Sequence, residues 1–373
     1  MKRPFLPVIV TIAAACWATA LAFILVDPFD LYPWGMAVSL ASSGAYSMQS
    51  TPYLVDAVAK TGDIDTLFLG TSTGHFYTKK MMEEILPNAR RAFNLSYSNP
   101  SSPDRTAVAR TLLRYSHAQH FIIEADWTYM VPKEEQRAAL SFPLYLYDRV
   151  WWNDVRAINW QALQLSYAVS RGEPLWISAW GQGAELGGYQ RRYASLHTPA
   201  AIAEFTEFVS RNKSSIDTPS ELSCGSMNAI GDDLVPFVTA LSARGAEVDI
   251  LMPVYSWILY YWTIDPDMRG LSRPSLLNDQ LKMRNCVVQA LDGLPGVRIF
   301  AFDDVPGLAA DARNYFDPVH LYNPAANRYV LQSIANGEHR LTRENIDAKN
   351  SQMRLAVIGY QFTNDKVWAA SRE

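Results

Sequence analysis

The sequence predicts an α/β protein: a three-layer sandwich with a roughly five-stranded parallel sheet. Three observations point there. Five short apolar runs, 64–70, 91–97, 120–126, 247–254 and 297–303, have the length and composition of strands covered on both faces. Segments with helical apolar spacing separate these runs, and such alternation builds parallel sheets through crossover helices. The chain has 373 residues, of which 49% are hydrophobic and 19% charged, enough to bury a full core.

The N-terminus comes first. Met1-Lys2-Arg3 precedes an uncharged run over 8–26, close to the ~20 residues a helix needs to cross a bilayer. Pro7 suits the first helical turn, and Asp27-Pro28 stops the run. Positive charge on the short side keeps that end in the cytoplasm and sends the remainder across. The expectation is therefore a single transmembrane anchor over 1–27 at a bacterial inner membrane, with the main domain periplasmic or otherwise extracytoplasmic. A cleaved signal peptide is the rival, through the small-residue sites Ala18-Thr19-Ala20 and Ala20-Leu21-Ala22. Apolar residues continue past both sites to Val26, which favours an uncleaved anchor. Residues 28–60 read as a membrane-proximal segment, 61–339 as the main domain and 340–373 as a polar tail.

Within the main domain, the strand 64–70 is followed by a helix over 78–86 and the strand 91–97. Ser102-Pro103-Asp104 has the form of a cap, a first-turn proline and an early acid, and starts a helix reaching about 116. After the strand 120–126 the rhythm breaks. Residues 127–198 hold Trp151, Trp152, Trp160, Trp176 and Trp180 with a glycine-rich stretch, and read as an aromatic-rich insertion. Helices over 199–213 and 227–244 follow, the second stopped by Gly245. The strand 247–254, a helix over 275–291, the strand 297–303 and a last helix over 324–335 complete the pattern.

Composition excludes several functions. A net charge of -4 leaves no basic footprint for nucleic acid. Cys16, Cys224 and Cys286 contain no Cys-x-x-Cys pair and no Cys/His cluster at zinc spacing, so no metal and no cofactor are expected. Cys224 and Cys286 can form one disulfide if the domain is exported, although their separation in sequence does not establish it. Aromatic residues make up 12% of the chain; they fill cores first and stack on sugar rings second.

In an open parallel sheet, ligands bind at the carboxyl ends of the strands. Ser72, within Gly70-Thr71-Ser72-Thr73-Gly74, follows the first strand, Ser98-Asn99 the second and Asp126-Trp127 the third. Tyr255-Ser256 follows the fourth, and Asp317-Pro318-Val319-His320 lies beyond the fifth. Each motif alone has a bland reading, as a turn entering a helix or as a local i to i+3 ion pair. Placed on one sheet edge, they make Ser72 a nucleophile, His320 its base and Asp317 the orienting acid. A serine hydroxyl is a poor nucleophile until a base takes its proton, which an imidazole of ordinary pKa ~6.5 does at neutral pH. The acid accepts the other ring N–H, fixes the tautomer and stabilises the imidazolium. The oxyanion that forms needs donors aimed at it. The backbone N–H of Ser72 and groups from Ser98 and Asn99 are candidates, with Asp126 and Trp127 as further oxyanion or substrate-binding positions.

With these residues in place, the chain resembles the SGNH (GDSL-like) hydrolase superfamily, whose fold is flavodoxin-like. Gly70-Thr71-Ser72 is similar to the Gly-Asp-Ser block with Thr for Asp, and Asp317-Pro318-Val319-His320 matches the late Asp-x-x-His block. Phe93-Asn94-Leu95-Ser96-Tyr97-Ser98-Asn99 resembles the second block, with Asn99 where an oxyanion-hole Gly is expected. Glu124-Ala125-Asp126-Trp127 stands where a Gly-x-Asn-Asp turn would supply a side-chain oxyanion donor. An anchor, a Gly-x-Ser strand end, a large insertion and a late Asp-Pro-x-His together also resemble the membrane-anchored branch that includes alginate O-acetylation proteins and the D-alanyl transfer protein of teichoic acids. That resemblance implies acyl chemistry on an envelope polysaccharide or another acyl-ester substrate, beside a membrane-bound acyltransferase partner.

The resulting expectation is an extracytoplasmic serine acyl-ester enzyme, either an O-acyltransferase or an esterase. The alternative is a noncatalytic glycan-binding or scaffolding protein of an acyltransferase complex. The altered second and third blocks favour the alternative, and the intact Asp317/His320 pair opposes it.

Overall fold

The computed structural model describes residues 10–15, 17–18, 21, 51–60, 62–136, 142–148, 199–264, 273–315 and 317–361. The expected anchor over 1–27 and the insertion over 127–198 lie largely outside the described residues. Among the described residues, no helix is long and apolar enough to cross a membrane.

Six strands form one sheet: β1 (Thr66–Leu69), β2 (Ala92–Asn94), β3 (His120–Glu124), β4 (Glu247–Leu251), β5 (Val297–Phe300) and β6 (Arg340–Leu341). Their order is β2-β1-β3-β4-β5-β6. The first five are parallel and β6 runs antiparallel to β5. Each of the five expected strands is present, shorter by two to four residues and mostly at its C-terminal end, where the chain leaves the ladder.

The helices used below are α1 (Thr51–Lys60), α2 (Lys79–Ile85), α3 (Ser102–Tyr115), α4 (Pro199–Asn212), α5 (Val235–Ala243), α6 (Leu276–Leu291), α7 (Pro324–Asn336) and α8 (Ile346–Ile358). Alternation along the strands divides the core in two. Leu67, Leu69, Phe121 and Ile123 face one side, where they join buried residues of α1, α3, α5, α6 and α8. Phe68, Ile122, Leu251 and Phe300 face the other side, against α2 and α7. The result is a helix–sheet–helix sandwich.

Three local features depart from the sequence reading. The α3 capping box is set by Ser101, one residue earlier than expected, with Asp104 reciprocating and the proline inside the first turn. The helix expected over 227–244 contains a π turn at Ile230–Leu234 before α5. Pro236 explains it, because its ring has no N–H to offer the carbonyl four residues back and clashes with it, so the turn widens. The segments read as membrane-proximal and as tail both supply core elements. Helix α1 packs Leu54, Val55 and Val58 inward, and α8 packs Met353 and Val357. The α8 pattern is obscured by Asn350 at a core-facing position, where its Nδ2 donates to the Leu281 carbonyl at 3.2 Å.

Asp249, a charge inside β4, is fully buried but satisfied. It pairs with His120 at 2.8 Å and takes two hydrogen bonds from Arg298, at 2.7 and 2.8 Å. The Cys224–Cys286 disulfide is formed, with Cα atoms 5.4 Å apart and 62 residues of separation, and it ties the stretch before α5 to α6. Closing a loop of that length restricts the unfolded chain, so Cys224→Ala with Cys286→Ala should lower stability by about 2–4 kcal/mol in urea unfolding.

The strand order also locates the site. From β1 the chain moves outward to β2, then crosses back to β3 on the other side of β1, so the order reverses between β1 and β3. The register pairs Leu69 with Ile123, which sets the chain leaving β1 directly beside Glu124. This is the crevice where open α/β sheets bind ligands.

Candidate active site

At the end of β1 the chain makes a 3-10 turn, Ser72–Phe76, capped by Thr71. Small residues are required around it. A Cβ on Gly70 would lie 2.7 Å from the Phe68 ring and 2.8 Å from Glu124 Oε2, and one on Gly74 would collide with the same ring. The second block is stitched to this turn by Asn94. Its Nδ2 donates to the Gly74 and Tyr77 carbonyls at 2.9 and 2.7 Å, while its Oδ1 accepts the Ser96 N–H at 2.8 Å.

The late motif lies in the loop between β5 and α7. A bridge between Tyr315 and Leu321 closes this loop, and the Pro318 carbonyl accepts the Ser256 N–H at 3.0 Å. The fold thus carries Asp317 and His320 to the edge where Ser72 sits, 248 residues away in sequence.

The three side chains form a continuous hydrogen-bonded chain. Ser72 Oγ is 2.9 Å from His320 Nε2, and His320 Nδ1 is 2.6 Å from Asp317 Oδ2. Asp317 Oδ1 accepts the Val319 and His320 backbone N–H groups at 2.8 and 2.9 Å. Burial alone would push the Asp317 carboxyl up. The His320 ring beside it and the two backbone donors outweigh that and hold it below the usual carboxylate value. An ionised Asp317 fixes the proton of His320 on Nδ1 and leaves Nε2 free to accept from Ser72.

The other candidate residues are placed as follows. Asn99 is exposed with φ 49°, in the left-handed region that glycine occupies most easily and asparagine tolerates. The substitution of Asn for Gly therefore keeps the backbone conformation. Asn99→Gly should leave stability unchanged or raise it by about 0.5–1 kcal/mol, and Asn99→Val should lower it by about 1–2 kcal/mol in thermal unfolding. Ser98 is exposed beside it.

Asp126 does not present a donor. Its carboxyl is buried, burial raises its pKa, and its Oδ1 caps the turn Trp127–Met130 by accepting from Thr128 N at 3.0 Å and Thr128 Oγ1 at 2.5 Å. Trp127 stays 41% exposed, so its ring is available to a ligand, while its backbone N–H donates to Tyr255 Oη at 3.4 Å.

Glu124 lies beneath the Ser72 turn. Its Oε2 accepts the Thr71 N–H at 2.9 Å and the Thr71 hydroxyl at 3.3 Å. The Thr71 carbonyl in turn accepts the Gly74 N–H at 3.1 Å. Both sides of Thr71 are pinned, and so is the peptide whose N–H belongs to Ser72. Burial, reinforced by Asp126, raises the Glu124 carboxyl to about 7.

His75, one turn beyond Ser72, was absent from the sequence candidates, as were Asn94 and the role of Glu124. The Ser-x-x-His spacing was the available signal for His75. Among the described residues, no group of three or more His, Cys, Asp or Glu side chains could hold a metal ion. Compared with known proteins, the chain matches no family model and no curated sequence, so this geometry carries the functional reading.

Proposed function

We propose that this protein is a serine acyl-ester enzyme, an O-acyltransferase or esterase, with Ser72 as nucleophile, His320 as general base and Asp317 as the orienting acid. The observation that carries the reading is the unbroken Asp317–His320–Ser72 hydrogen-bonded chain, at 2.6 and 2.9 Å, on the carboxyl edge of the sheet at its switch point.

His320 Nε2 takes the Ser72 proton as Oγ attacks the acyl carbonyl, and returns it to the leaving oxygen. The Ser72 N–H, in a turn pinned by Glu124, is the first donor for the oxyanion in this reading, with Asn99 as the second candidate. A second hydroxyl or water then resolves the acyl-enzyme, and the choice of acceptor separates transfer from hydrolysis.

The substrate belongs to the same proposal: an acyl-esterified envelope polysaccharide outside the cytoplasm, handled beside a membrane-bound acyltransferase, with residues 1–27 as the anchor. The resemblance to the SGNH superfamily and its membrane-anchored branch supports this, as do the apolar run over 8–26 and the formed disulfide, a bond that persists in oxidising compartments. The test compares wild-type and Ser72→Ala chains for turnover of p-nitrophenyl acetate, and the parent strain with a Ser72→Ala strain for polymer acylation. Loss of both supports the enzyme. Equal turnover and unchanged acylation would instead favour a noncatalytic scaffolding role.

A further inference from the structure

His75 is the titratable group of the nucleophile turn that the triad leaves unused. In a 3-10 turn, side chains at i and i+3 eclipse, and the rise is about 2 Å per residue. Within Ser72–Phe76, Ser72 and His75 therefore stand on one face, about 6 Å apart along the axis.

The ring is partly buried, and its Nδ1 is fully enclosed without a hydrogen-bond partner, a state that a folded chain normally avoids. Burial first, and the neighbouring His320 second, lower its pKa to about 4, so the ring is neutral through mildly acidic and neutral pH. The lowering by His320, whose Nε2 meets Ser72 Oγ at 2.9 Å, agrees with the shared face of Ser72 and His75 in the turn. Glu124 lies close to the same turn, its Oε2 3.1 Å from where a Cβ on Gly74 would be. A neutral imidazole offers one donor and one acceptor, which suits a hydroxyl.

We propose that His75 binds a second hydroxyl of the acyl acceptor, so that the site selects a vicinal diol, such as two neighbouring hydroxyls of a sugar ring, over water or a simple alcohol. This rests on the serine acyl-ester reading. In the acyl-enzyme, Ser72 Oγ carries the acyl group. One acceptor hydroxyl gives its proton to His320 Nε2 as its oxygen attacks the acyl carbon. The new C–O bond forms, the bond from the acyl carbon to Ser72 Oγ breaks, and the proton passes from His320 to Oγ. His75 holds the adjacent hydroxyl throughout and takes no proton.

The test uses the full chain with p-nitrophenyl acetate as donor and ethylene glycol or ethanol, at equal concentration, as acceptor. The readout is the ratio of acetylated glycol to acetylated ethanol. The wild type should favour the glycol, and His75→Ala should lower that preference about fivefold, the effect of one hydrogen bond. His75→Phe keeps a buried ring without a hydrogen-bonding nitrogen and should lose the preference too, whereas His75→Gln should recover part of it. A wild-type ratio preserved in both His75→Ala and His75→Phe overturns the proposal, as does a wild type without preference. A wild type that turns over no ester by way of Ser72 removes the serine reading itself, and the role of His75 with it.

Discussion

Asp317→Asn is expected to lower ester turnover by about 10⁴-fold while leaving the fold intact. The carboxylate accepts from His320 Nδ1 at 2.6 Å and from two backbone N–H groups, and its depressed pKa keeps it ionised at neutral pH. An asparagine amide can hold the same position but presents either an N–H or a neutral oxygen to Nδ1. With an N–H there, the ring is driven to the tautomer that protonates Nε2, and Nε2 then cannot accept from Ser72. Steady-state rates with p-nitrophenyl acetate, alongside urea unfolding of both proteins, check this. A fall of less than tenfold in a normally folded variant would mean that Asp317 is only a loop anchor.

Glu124→Gln should give the largest stability gain, and only at higher pH. The carboxyl titrates from an ordinary 4.5 when unfolded to about 7 when folded. Between those values the folded state holds a proton that the unfolded state has released, so stability falls as pH rises, and the penalty is complete above about 7. A shift of that size corresponds to a gain of up to about 3 kcal/mol for the glutamine at pH 8, vanishing towards pH 4. Glutamine keeps an oxygen to accept the Thr71 N–H, so the turn itself should persist. Urea unfolding at pH 4, 6 and 8 reads the difference, and an equal effect at all three would show that the Glu124 charge is not what costs the fold. A buried acid that destabilises the protein beneath the Ser72 turn fits the proposed site, whose geometry would be maintained at the expense of stability.

The parallel sheet was legible because its strands are continuous apolar runs between helical segments, a signal strong at 120–126 and 247–254 even with Asp249 inside. The meeting of Ser72 with Asp317 and His320 was legible for a different reason: each follows a strand, and parallel topology sends all such positions to one edge. The strand β6 was not legible, since two residues, Arg340 and Leu341, carry no period. Helix α8 was hidden by Asn350 on its inner face, and α1 by the neighbouring prolines and aromatics that suggested a membrane-proximal segment. On the oxyanion side, sequence reading looked for side-chain donors at the positions a resemblance supplied. In the structure Asn94 donates to two carbonyls of the Ser72 turn, and Glu124 accepts the Thr71 N–H and hydroxyl. Both bind the backbone of this turn from neighbouring strands, a relation set by register that no local spacing encodes.

The central claim is that Ser72 is an activated nucleophile. The most direct test is to treat the folded wild-type chain with a fluorophosphonate and to map the adduct by peptide mass spectrometry. The account predicts one modified serine, Ser72, with labelling lost in His320→Ala. An unlabelled Ser72 in folded protein, or a label rate unchanged by His320→Ala, would contradict it.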